Sequence, residues 1–281
     1  MDPIRKALDL ASGNKSAGIK REVPRATQEP APELVPNHIV PGYSPAVPNE
    51  FHVKQFELNL AHLEANRIVA HSRSNQPSRS FDMLRTQVLQ SMDQKSWQTL
   101  AVTSPTPGCG KTLTSINLAL SIARQSENSV LLVDMDFEKP KVADCLGLPH
   151  GPGLLSVLNR KAAIESALVQ ASVGNTQLTV LPCEISTTHS SEFMTSRAMS
   201  AFLQQIKNED RSRIIILDLP PILSGDNVIS ILPQIDCVLL VVAVGTTTAA
   251  EIKETNKHLK TSSVVRVVLN KSADNGPNYY Y

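Results

Sequence analysis

The chain has 281 residues, of which 41% are apolar and 19% are charged, and its formal net charge is +1. This composition supports a large buried core, while the near-neutral charge gives no electrostatic basis for binding nucleic acid or a membrane surface. The absence of any run of 18 apolar residues excludes a typical bilayer-spanning helix, and residues 1–6 show no signal-peptide region. The four cysteines are scattered without metal-site spacing. These features predict a cytoplasmic protein with free thiols, no direct membrane span and no nucleic-acid partner.

The first 50 residues predict two elements that precede a compact domain. Residues 1–11 have apolar side chains at helical spacing and predict a short amphipathic helix. A lone helix of this length is marginal in water, so we expect it to be either frayed or docked on a partner. Residues 12–50 carry seven prolines between Pro24 and Pro48 and predict a disordered, extended linker that acts as a tether.

A compact domain is predicted over residues 51–270, in which strand-like and helix-like runs alternate. The strand-like runs are 56–60, 99–104, 129–135, 177–182, 212–219, 236–243 and 263–270. The helix-like runs are 61–68, 80–92, 111–125, 153–169 (broken), 190–207, 224–232 and 247–260. This alternation predicts an α/β fold, a doubly wound and mostly parallel sheet with helices on both faces. Ligands of such sheets bind at the carboxyl ends of the strands.

A phosphate-binding loop is predicted between the strand-like run at 99–104 and the helix-like run at 111–125. Glycines at 108 and 110 allow backbone amides to turn toward an anion, and the helix N-terminus adds further N–H groups. Lys111 has the position that reaches the β- and γ-phosphates, and the Thr112 hydroxyl has the position that binds Mg²⁺. Pro105 stands where the usual G-x-x-x-x-G-K-[ST] pattern has its first glycine. The predicted nucleotide-binding residues of this loop are Pro107, Gly108, Cys109, Gly110, Lys111, Thr112 and Leu113.

Three aspartates end two other strand-like runs. Asp134 and Asp136 follow the apolar run that starts at 129, and Asp218 follows Ile215–Leu217. Because the carboxyl ends of parallel strands share one sheet edge, these carboxylates are predicted to lie beside the phosphate loop. Carboxylates are what nucleotide chemistry needs to hold Mg²⁺ and to handle a proton.

Together these motifs resemble the Walker A, A′ and B set of the bacterial tyrosine kinases, P-loop relatives of the partitioning and septum-site ATPases. The resemblance covers roughly residues 51–281 and implies the P-loop NTPase fold. The matching segments are Pro107-Gly108-x-Gly110-Lys111-Thr112, Val133-Asp134-x-Asp136 with Pro140, Leu217-Asp218-x-Pro220-Pro221, residues 145–158 and residues 265–271. Residues 56–64 look like the entry to autokinases found in exopolysaccharide gene sets.

The resemblance implies an ATP- and Mg²⁺-dependent autokinase whose residues have separate roles. Lys111 and Thr112 take the nucleotide and Mg²⁺ roles, and Asp134 is the acidic residue near the γ-phosphate and the metal. Asp136 orients or deprotonates the tyrosine hydroxyl, and Asp218 holds Mg²⁺ through water. The catalytic set is therefore Lys111, Asp134, Asp136 and Asp218, the metal set is Thr112, Asp134 and Asp218, and Asn270 is placed near the adenine.

The end of the sequence predicts the phosphate acceptor. Three of the four tyrosines are the residues Tyr279, Tyr280 and Tyr281, which close a polar, flexible tail over residues 271–281. Such a tail has no packing use for aromatic rings, although chance or a partner anchor also explains them. The resemblance implies phosphorylation across the subunits of a homo-oligomeric ring. It also implies control of capsule or exopolysaccharide polymerisation and export, and a peripheral position at the inner membrane. The implied partner there is a transmembrane co-polymerase, the chain-length-determinant protein.

Two motifs depart from the family pattern. Glu138 and Lys139 stand where arginines usually follow the second aspartate of the A′ motif. The oligomerisation helix of the family carries Glu-x-x-Arg-x-x-Arg, and the aligned residues here are Arg79, Asp82 and Arg85. Two alternatives therefore stay open: a positioning or partitioning ATPase, and a weakly active or non-catalytic ATP-binding regulator of polysaccharide export. The ATPase alternative predicts a Lys-Gly-Gly loop entry and a basic or membrane-binding surface, and this chain shows neither.

Overall fold

A computed structural model of the chain describes residues 53–72, 76–125, 129–184 and 190–272. The predicted N-terminal helix, the linker and the tyrosines of the tail lie outside the described residues. The eight strands are β1 (Lys54–Glu57), β2 (Thr99–Thr103), β3 (Val130–Asp134), β4 (Val169–Val173), β5 (Thr176–Leu181), β6 (Ile214–Asp218), β7 (Cys237–Ala243) and β8 (Val264–Asn270).

All eight strands belong to one sheet in the order β1-β4-β5-β3-β6-β2-β7-β8. β5, β3, β6, β2, β7 and β8 run parallel to one another, and β1 and β4 run in the opposite direction at one edge. These six parallel strands are the six longer strand-like runs of the sequence, so the mostly parallel sheet is confirmed. Their carboxyl ends share one edge, which carries the phosphate loop.

Helices cover both faces of the sheet, as the sequence predicts. They are α1 (Leu60–Ala65), α2 (Gln76–Lys95), α3 (Lys111–Ala123), α4 (Val142–Leu146), α5 (Leu154–Leu158), α6 (Ile164–Ala167), α7 (Ser190–Met194), α8 (Arg197–Glu209), α9 (Asn227–Ile231) and α10 (Ala249–His258). One apolar core contains Leu63, Val88 and Ile116 from α1, α2 and α3. The other contains Leu154, Met199 and Val228 from α5, α8 and α9. The central strands β2, β3, β6 and β7 are buried at every residue, which explains their continuous apolar runs. No helix within the described ranges is long and apolar enough to cross a bilayer.

The predicted helix over residues 153–169 is wrong at its C-terminal end. The broken helix predicted over 153–169 is two short helices, α5 and α6, and Val169 already begins β4. β4 forms an antiparallel hairpin with β5 through the two residues Gly174 and Asn175, and Gly174 has φ of +54°. A Gly-Asn pair is a typical hairpin turn, because glycine adopts positive φ without strain. The helix predicted over 190–207 is likewise divided, at Ser196, whose side chain caps α8.

Asp236 fastens the start of β7 to the start of β2. Its Oδ2 accepts hydrogen bonds from the N–H of Gln98 (2.9 Å), the N–H of Thr99 (2.8 Å) and the Thr99 hydroxyl (2.8 Å). Its Oδ1 accepts one from Lys207 Nζ at 3.0 Å. Although burial acts in the opposite direction, these hydrogen bonds hold the pKa of Asp236 below its usual value.

We expect Asp236→Asn to lower the free energy of unfolding by about 1–2 kcal/mol at pH 7, the range for charge-assisted hydrogen bonds at a half-exposed site. A carboxyl whose folded-state pKa is depressed stabilises the fold above its unfolded pKa. That contribution is lost as pH falls through the folded-state pKa, so the stabilities of the variant and the wild type should converge once the pH lies below that lowered pKa. Urea unfolding of both proteins, at pH 7 and at an acidic pH below the folded-state pKa of Asp236, measures this difference in stability. Asp226→Asn, an exposed carboxyl without a side-chain cap bond, should show no comparable loss at pH 7.

Candidate active site

The loop between β2 and α3 has the backbone of a phosphate cradle. Gly108 and Gly110 have φ of +82° and +94°, a region that side-chain-bearing residues rarely adopt. α3 begins at Lys111, so its first N–H groups point out of the helix beside the loop. Pro107 and Gly108 are exposed, and the Cys109 side chain is buried, with its Sγ 3.4 Å from Thr247 Oγ1. The loop is therefore preformed for an anion in this structure.

Pro105 replaces the first glycine of the usual pattern without backbone strain. Proline holds φ near −65°, so this position has no need of a left-handed conformation. The carbonyl oxygens of Ser104 and Pro105 accept hydrogen bonds from the N–H groups of Ile222 (2.8 Å) and Leu223 (3.1 Å). The loop entry is thus held by the segment that follows β6 and Asp218.

Asn270, at the end of β8, packs against the loop. Its Nδ2 donates to the Cys109 carbonyl at 2.9 Å. A Cβ built on Gly110 would lie 2.2 Å from the same nitrogen, so a side chain there would displace the Asn270 amide, and the positive φ independently favours glycine. The structure therefore places Asn270 on the backbone of the phosphate loop.

Lys111 pairs with Asp136 across the site. Lys111 Nζ lies 2.7 Å from Asp136 Oδ2, and both side chains are largely buried. Asp136 Oδ1 accepts a hydrogen bond from the Lys139 N–H at 3.0 Å. Burial alone would lower the pKa of Lys111, but the carboxylates of Asp218 and Asp136 outweigh it and raise that pKa. The ammonium group therefore stays charged within a cluster of carboxylates.

Asp134 organises the chain that follows β3. Its Oδ1 accepts a hydrogen bond from the Asp136 N–H (3.1 Å), and its Oδ2 accepts from the N–H groups of Lys141 and Val142 (3.0 Å each). Asp134 and Asp218 are register partners in β3 and β6. Burial, helped by the charge of Asp218, raises the pKa of Asp134 to about 8. Ionisation of both neighbouring carboxyls at once is therefore unfavourable unless a cation lies between them.

Asp218 carries an unsatisfied oxygen in this cluster. Its Oδ1 accepts a hydrogen bond from the Ser115 hydroxyl at 2.9 Å, whereas its buried Oδ2 has no hydrogen-bond partner among the described residues. Burial raises the pKa of Asp218, and the charge of Lys111 opposes part of that rise. A buried carboxylate oxygen without a donor fits a hard cation such as Mg²⁺. The described ranges contain no cluster of three or more His, Cys, Asp or Glu suited to a metal, so these carboxyls would need other oxygen ligands to complete a site.

The structure brings together Lys111, Thr112, Asp134, Asp136 and Asp218 at the predicted sheet edge. Thr112 and Leu113 lie in the first turn of α3, and the Thr112 hydroxyl is 3.5 Å from Lys111 Nζ. Sequence reasoning missed Ser115, the hydrogen-bond donor to Asp218. Its position four residues after Lys111 places both on one face of α3, which is the signal that identifies it.

Comparison with known proteins places this site in a family. Residues 97–270, more than half of the chain, match the family described as AAA domain. The relative EpsB of Ralstonia nicotianae, whose name assigns it to the tyrosine-protein kinases, is 29% identical over 221 residues. That alignment covers 78% of this chain and 28% of EpsB, so the chain spans little more than a quarter of that relative. Tyrosine-protein kinase YwqD of Bacillus subtilis is 28% identical over 78% of this chain and 92% of its own.

Solved structures show the same fold. The chimerical protein CapA2B2 has a TM-score of 0.67 at 23% identity, with 79% of this chain and 94% of that chain covered. The kinase domain of VpsO has a TM-score of 0.61 at 25% identity, covering 70% of this chain and 96% of its own. The kinase domain of Escherichia coli tyrosine kinase ETK has a TM-score of 0.64 at 21% identity and covers 82% and 94%. The chain therefore belongs to the AAA domain family, among the P-loop proteins that include the bacterial tyrosine-protein kinases.

Proposed function

We propose that this protein is an ATP-dependent tyrosine autokinase that modifies Tyr279, Tyr280 and Tyr281. The observation that carries the proposal is the Lys111–Asp136 pair, 2.7 Å apart, beside a phosphate loop. A loop that only binds nucleotide needs the lysine. Phosphoryl transfer to a hydroxyl also requires a group that takes the hydroxyl proton. The carboxylate of Asp136, within reach of that lysine, supplies this group.

The pair gives each residue a step in the reaction. Before nucleotide binds, Lys111 neutralises Asp136. The phosphates of ATP draw the ammonium toward the loop, which leaves Asp136 Oδ2 free to accept the tyrosine proton. The phenolic oxygen then forms a bond to the γ-phosphorus as the bond to the bridging oxygen of ADP breaks. Amides of the loop and of the α3 N-terminus stabilise the charge that develops on the β-phosphate of the leaving ADP.

Thr112, Asp134 and Asp218 would hold Mg²⁺, with the unsatisfied Oδ2 of Asp218 as the main support for this assignment. When bound, the ion supplies neutralisation of phosphate charge. Asn270 stays at the loop backbone in this scheme. We propose that Asn270 also lies near the adenine, and this rests only on its position at the end of β8, next to Cys109.

We expect binding of Mg²⁺ together with ADP to tighten between pH 7 and pH 8 and then to level. A carboxyl with a pKa of about 8 is protonated below that pH and must lose its proton to take a cation. Because one proton must be released, binding tightens by up to about tenfold for each unit that the pH rises toward the pKa. Calorimetry in two buffers of different ionisation heat measures the released proton. A flat profile without proton release would contradict the assignment of Asp134.

The cellular role is a further proposal, and it rests on the family resemblance of the sequence motifs. We infer that the enzyme regulates capsule or exopolysaccharide polymerisation and export. We place it in the cytoplasm at the inner membrane, bound to a transmembrane chain-length-determinant protein. Residues 1–50 would serve as the tether to that partner. A homo-oligomeric ring would bring the tail of one copy to the active site of the next.

The test is incubation of the full chain with Mg²⁺ and ATP, followed by detection of phosphotyrosine. Wild type should be modified, whereas Lys111→Met and the triple variant Tyr279→Phe/Tyr280→Phe/Tyr281→Phe should not. Tyr43→Phe, which changes the fourth tyrosine, is the matched control and should keep the signal. Phosphotyrosine that survives Lys111→Met would contradict the proposal. ATP hydrolysis without phosphotyrosine, even with the partner's cytoplasmic segment added, would favour a positioning ATPase. Binding without either product would favour a non-catalytic regulator.

A further inference from the structure

A cavity of about 230 Å³ opens at the end of β5, and three prolines supply much of its wall. We call it the proline cavity. Its floor consists of buried residues, and its rim is exposed to solvent. Six of the residues that line it are Pro140, Ala143, Pro149, His150, Pro182 and Cys183, and two others, Asp144 and Glu184, carry charge. None of these residues has a role in the proposed phosphoryl transfer.

One wall of the proline cavity is tied to the carboxylates of the candidate active site. Pro140 follows directly after Lys139, whose N–H donates to Asp136 Oδ1 at 3.0 Å. The next N–H along the chain, that of Lys141, donates to Asp134 Oδ2 at 3.0 Å. Consecutive Cα atoms are about 3.8 Å apart, so this wall begins one residue from an amide that contacts Asp136.

The floor of the cavity reaches the same sheet edge from β5. Leu181 is the register partner of Val133 in β3, so Cys183, two residues later, lies level with the chain that follows β3. Burial raises the pKa of the Cys183 thiol, and the charges of Asp134 and Asp136 add to that rise, which agrees with this closeness. A side chain in the cavity would therefore lie beside the reacting hydroxyl and leave its place free.

The size and the lining of the cavity fit an aromatic ring. An apolar cavity of about 150 Å³ is large enough to bind benzene. The proline cavity, at about 230 Å³, has room for a phenol ring. Its proline and alanine side chains lose no rotamer freedom when a ligand covers them, so contact with a ring costs little conformational entropy there.

Glu184 supplies an acceptor for the hydroxyl of such a ring. Its Oε1 accepts hydrogen bonds from the N–H groups of Gly153 (2.8 Å) and Ser156 (3.0 Å). Its Oε2 accepts one from the Leu155 N–H at 2.9 Å. Although burial acts in the opposite direction, these hydrogen bonds hold the pKa of Glu184 below its usual value. The carboxylate therefore stays charged, and Oε2, with one donor among the described residues, has capacity for another.

We propose that the proline cavity binds the aromatic ring of a tyrosine that neighbours the acceptor tyrosine in the peptide substrate. Residues one or two positions apart in an extended peptide are about 3–7 Å apart along the chain, comparable to the step from Asp136 to the cavity wall. Clustered tyrosines are then the preferred substrate class. This inference rests on the proposed autokinase function.

The chain contains both clustered and isolated tyrosines. Residues 279–281 are three consecutive tyrosines, so each has an aromatic neighbour, whereas Tyr43 stands between Gly42 and Ser44. The cavity gives a physical reason for modification of the cluster rather than of Tyr43. A ring held in the cavity binds equally before and during phosphoryl transfer, so it should lower KM and leave kcat nearly unchanged.

Binding of labelled peptides in the presence of Mg²⁺ and ADP tests the cavity without phosphoryl transfer. The protein is the full chain with Tyr279→Ser/Tyr280→Ser/Tyr281→Ser, so that its own tyrosines do not compete. The probe is a fluorescein-labelled peptide of residues 271–281, called the tyrosine peptide. The serine, phenylalanine and lysine peptides keep Tyr280 and carry Tyr279→Ser/Tyr281→Ser, Tyr279→Phe/Tyr281→Phe or Tyr279→Lys/Tyr281→Lys. We expect the Kd of the serine peptide to be about tenfold above that of the tyrosine peptide, and the Kd of the phenylalanine peptide to be within about threefold of it.

Two variants of the cavity connect this difference to the site. Ala143→Leu fills the cavity with a larger side chain, and Pro149→Ser/His150→Ser makes its rim polar. Either should raise the Kd of the tyrosine peptide toward that of the serine peptide. The rim variant changes only exposed residues, so it keeps the test informative if the leucine disturbs α4. Ala201→Leu, at an exposed position of α8, is the matched control and should leave every Kd within about twofold.

Equal Kd values for the tyrosine and serine peptides, or no binding of the tyrosine peptide, would overturn the proposal. So would a preference for the tyrosine peptide that survives both cavity variants. Tighter binding of the lysine peptide that Ala143→Leu abolishes would assign the cavity to a basic side chain instead.

Assays with ATP separate this inference from the proposed function. A preference for the tyrosine peptide in a protein that forms no phosphotyrosine would contradict the autokinase function and leave the aromatic subsite intact. Phosphotyrosine formed with the same KM on the tyrosine and serine peptides would contradict the subsite and leave the autokinase function intact.

Discussion

Asp136→Asn is expected to lower the rate of phosphotyrosine formation by about 100- to 10,000-fold, the usual contribution of a general base. The amide keeps the size of the carboxyl but cannot accept the proton of the tyrosine hydroxyl. Its oxygen can still accept a hydrogen bond from Lys111 or from the Lys139 N–H, so the loop after β3 should keep its course. The change removes the proton acceptor rather than the structure around it.

The affinity for ATP separates this role from damage to the phosphate loop. In the nucleotide-free protein Lys111 must leave Asp136 before it can contact phosphate. Without the carboxylate charge that step becomes easier, so the Kd for ATP should stay constant or fall while kcat drops. Titration with ATP and single-turnover phosphotyrosine assays on one preparation measure the two quantities.

Asp144→Asn is the matched control for this prediction. Asp144 lies in α4, eight residues beyond Asp136, and its side chain is exposed. Its backbone carbonyl accepts a hydrogen bond from His62, so the side chain can change without affecting that contact. We expect Asp144→Asn to keep its rate within about twofold. If Asp136→Asn kept more than a tenth of the wild-type rate, another group would have to take the proton.

The sheet edge and its residues were predictable because their signals are local. The central strands are largely apolar runs, β2, β3 and β6 end at polar residues, and parallel strands bring those ends together. Lys111 follows a glycine at a helix start, and Asp134 and Asp218 are the last residues of buried strands. None of these inferences needs knowledge of a distant contact.

The contacts that tune the site were not predictable in this way. Ser115 bonds Asp218 across 103 positions of sequence, and Asn270 reaches Cys109 across 161. Such pairs depend on the exact positions of α3, the phosphate loop and β8 relative to one another, and the packing of both apolar cores determines those positions. The same limit applies to Asp82, which the family pattern places in an oligomerisation motif. In the structure it is an acceptor for two arginines of its own chain.

Asp82→Ala is expected to lower the free energy of unfolding by about 2–4 kcal/mol, below the full cost of breaking a buried ion pair because Asp82 is partly exposed. Asp82 Oδ1 accepts hydrogen bonds from Arg85 Nη1 (2.7 Å), the Ser121 hydroxyl (2.7 Å) and Arg124 Nη2. The side chains of Arg85 and Arg124 are only 13% and 10% exposed. Without the carboxylate, two cations would remain together between α2 and α3.

Denaturant unfolding of the full chain measures this loss, and Asp93→Ala is its matched control. Asp93 is an exposed aspartate on the same helix, so its removal should change stability by less than about 0.5 kcal/mol. Asp82→Arg distinguishes an internal role from an oligomeric one, because it restores the arginine of the family pattern. In this fold it would place a third cation beside Arg85 and Arg124. It should therefore destabilise the protein more than Asp82→Ala. An Asp82→Arg protein as stable as the wild type would show that these charges contribute no net stability and are free to meet a neighbouring copy.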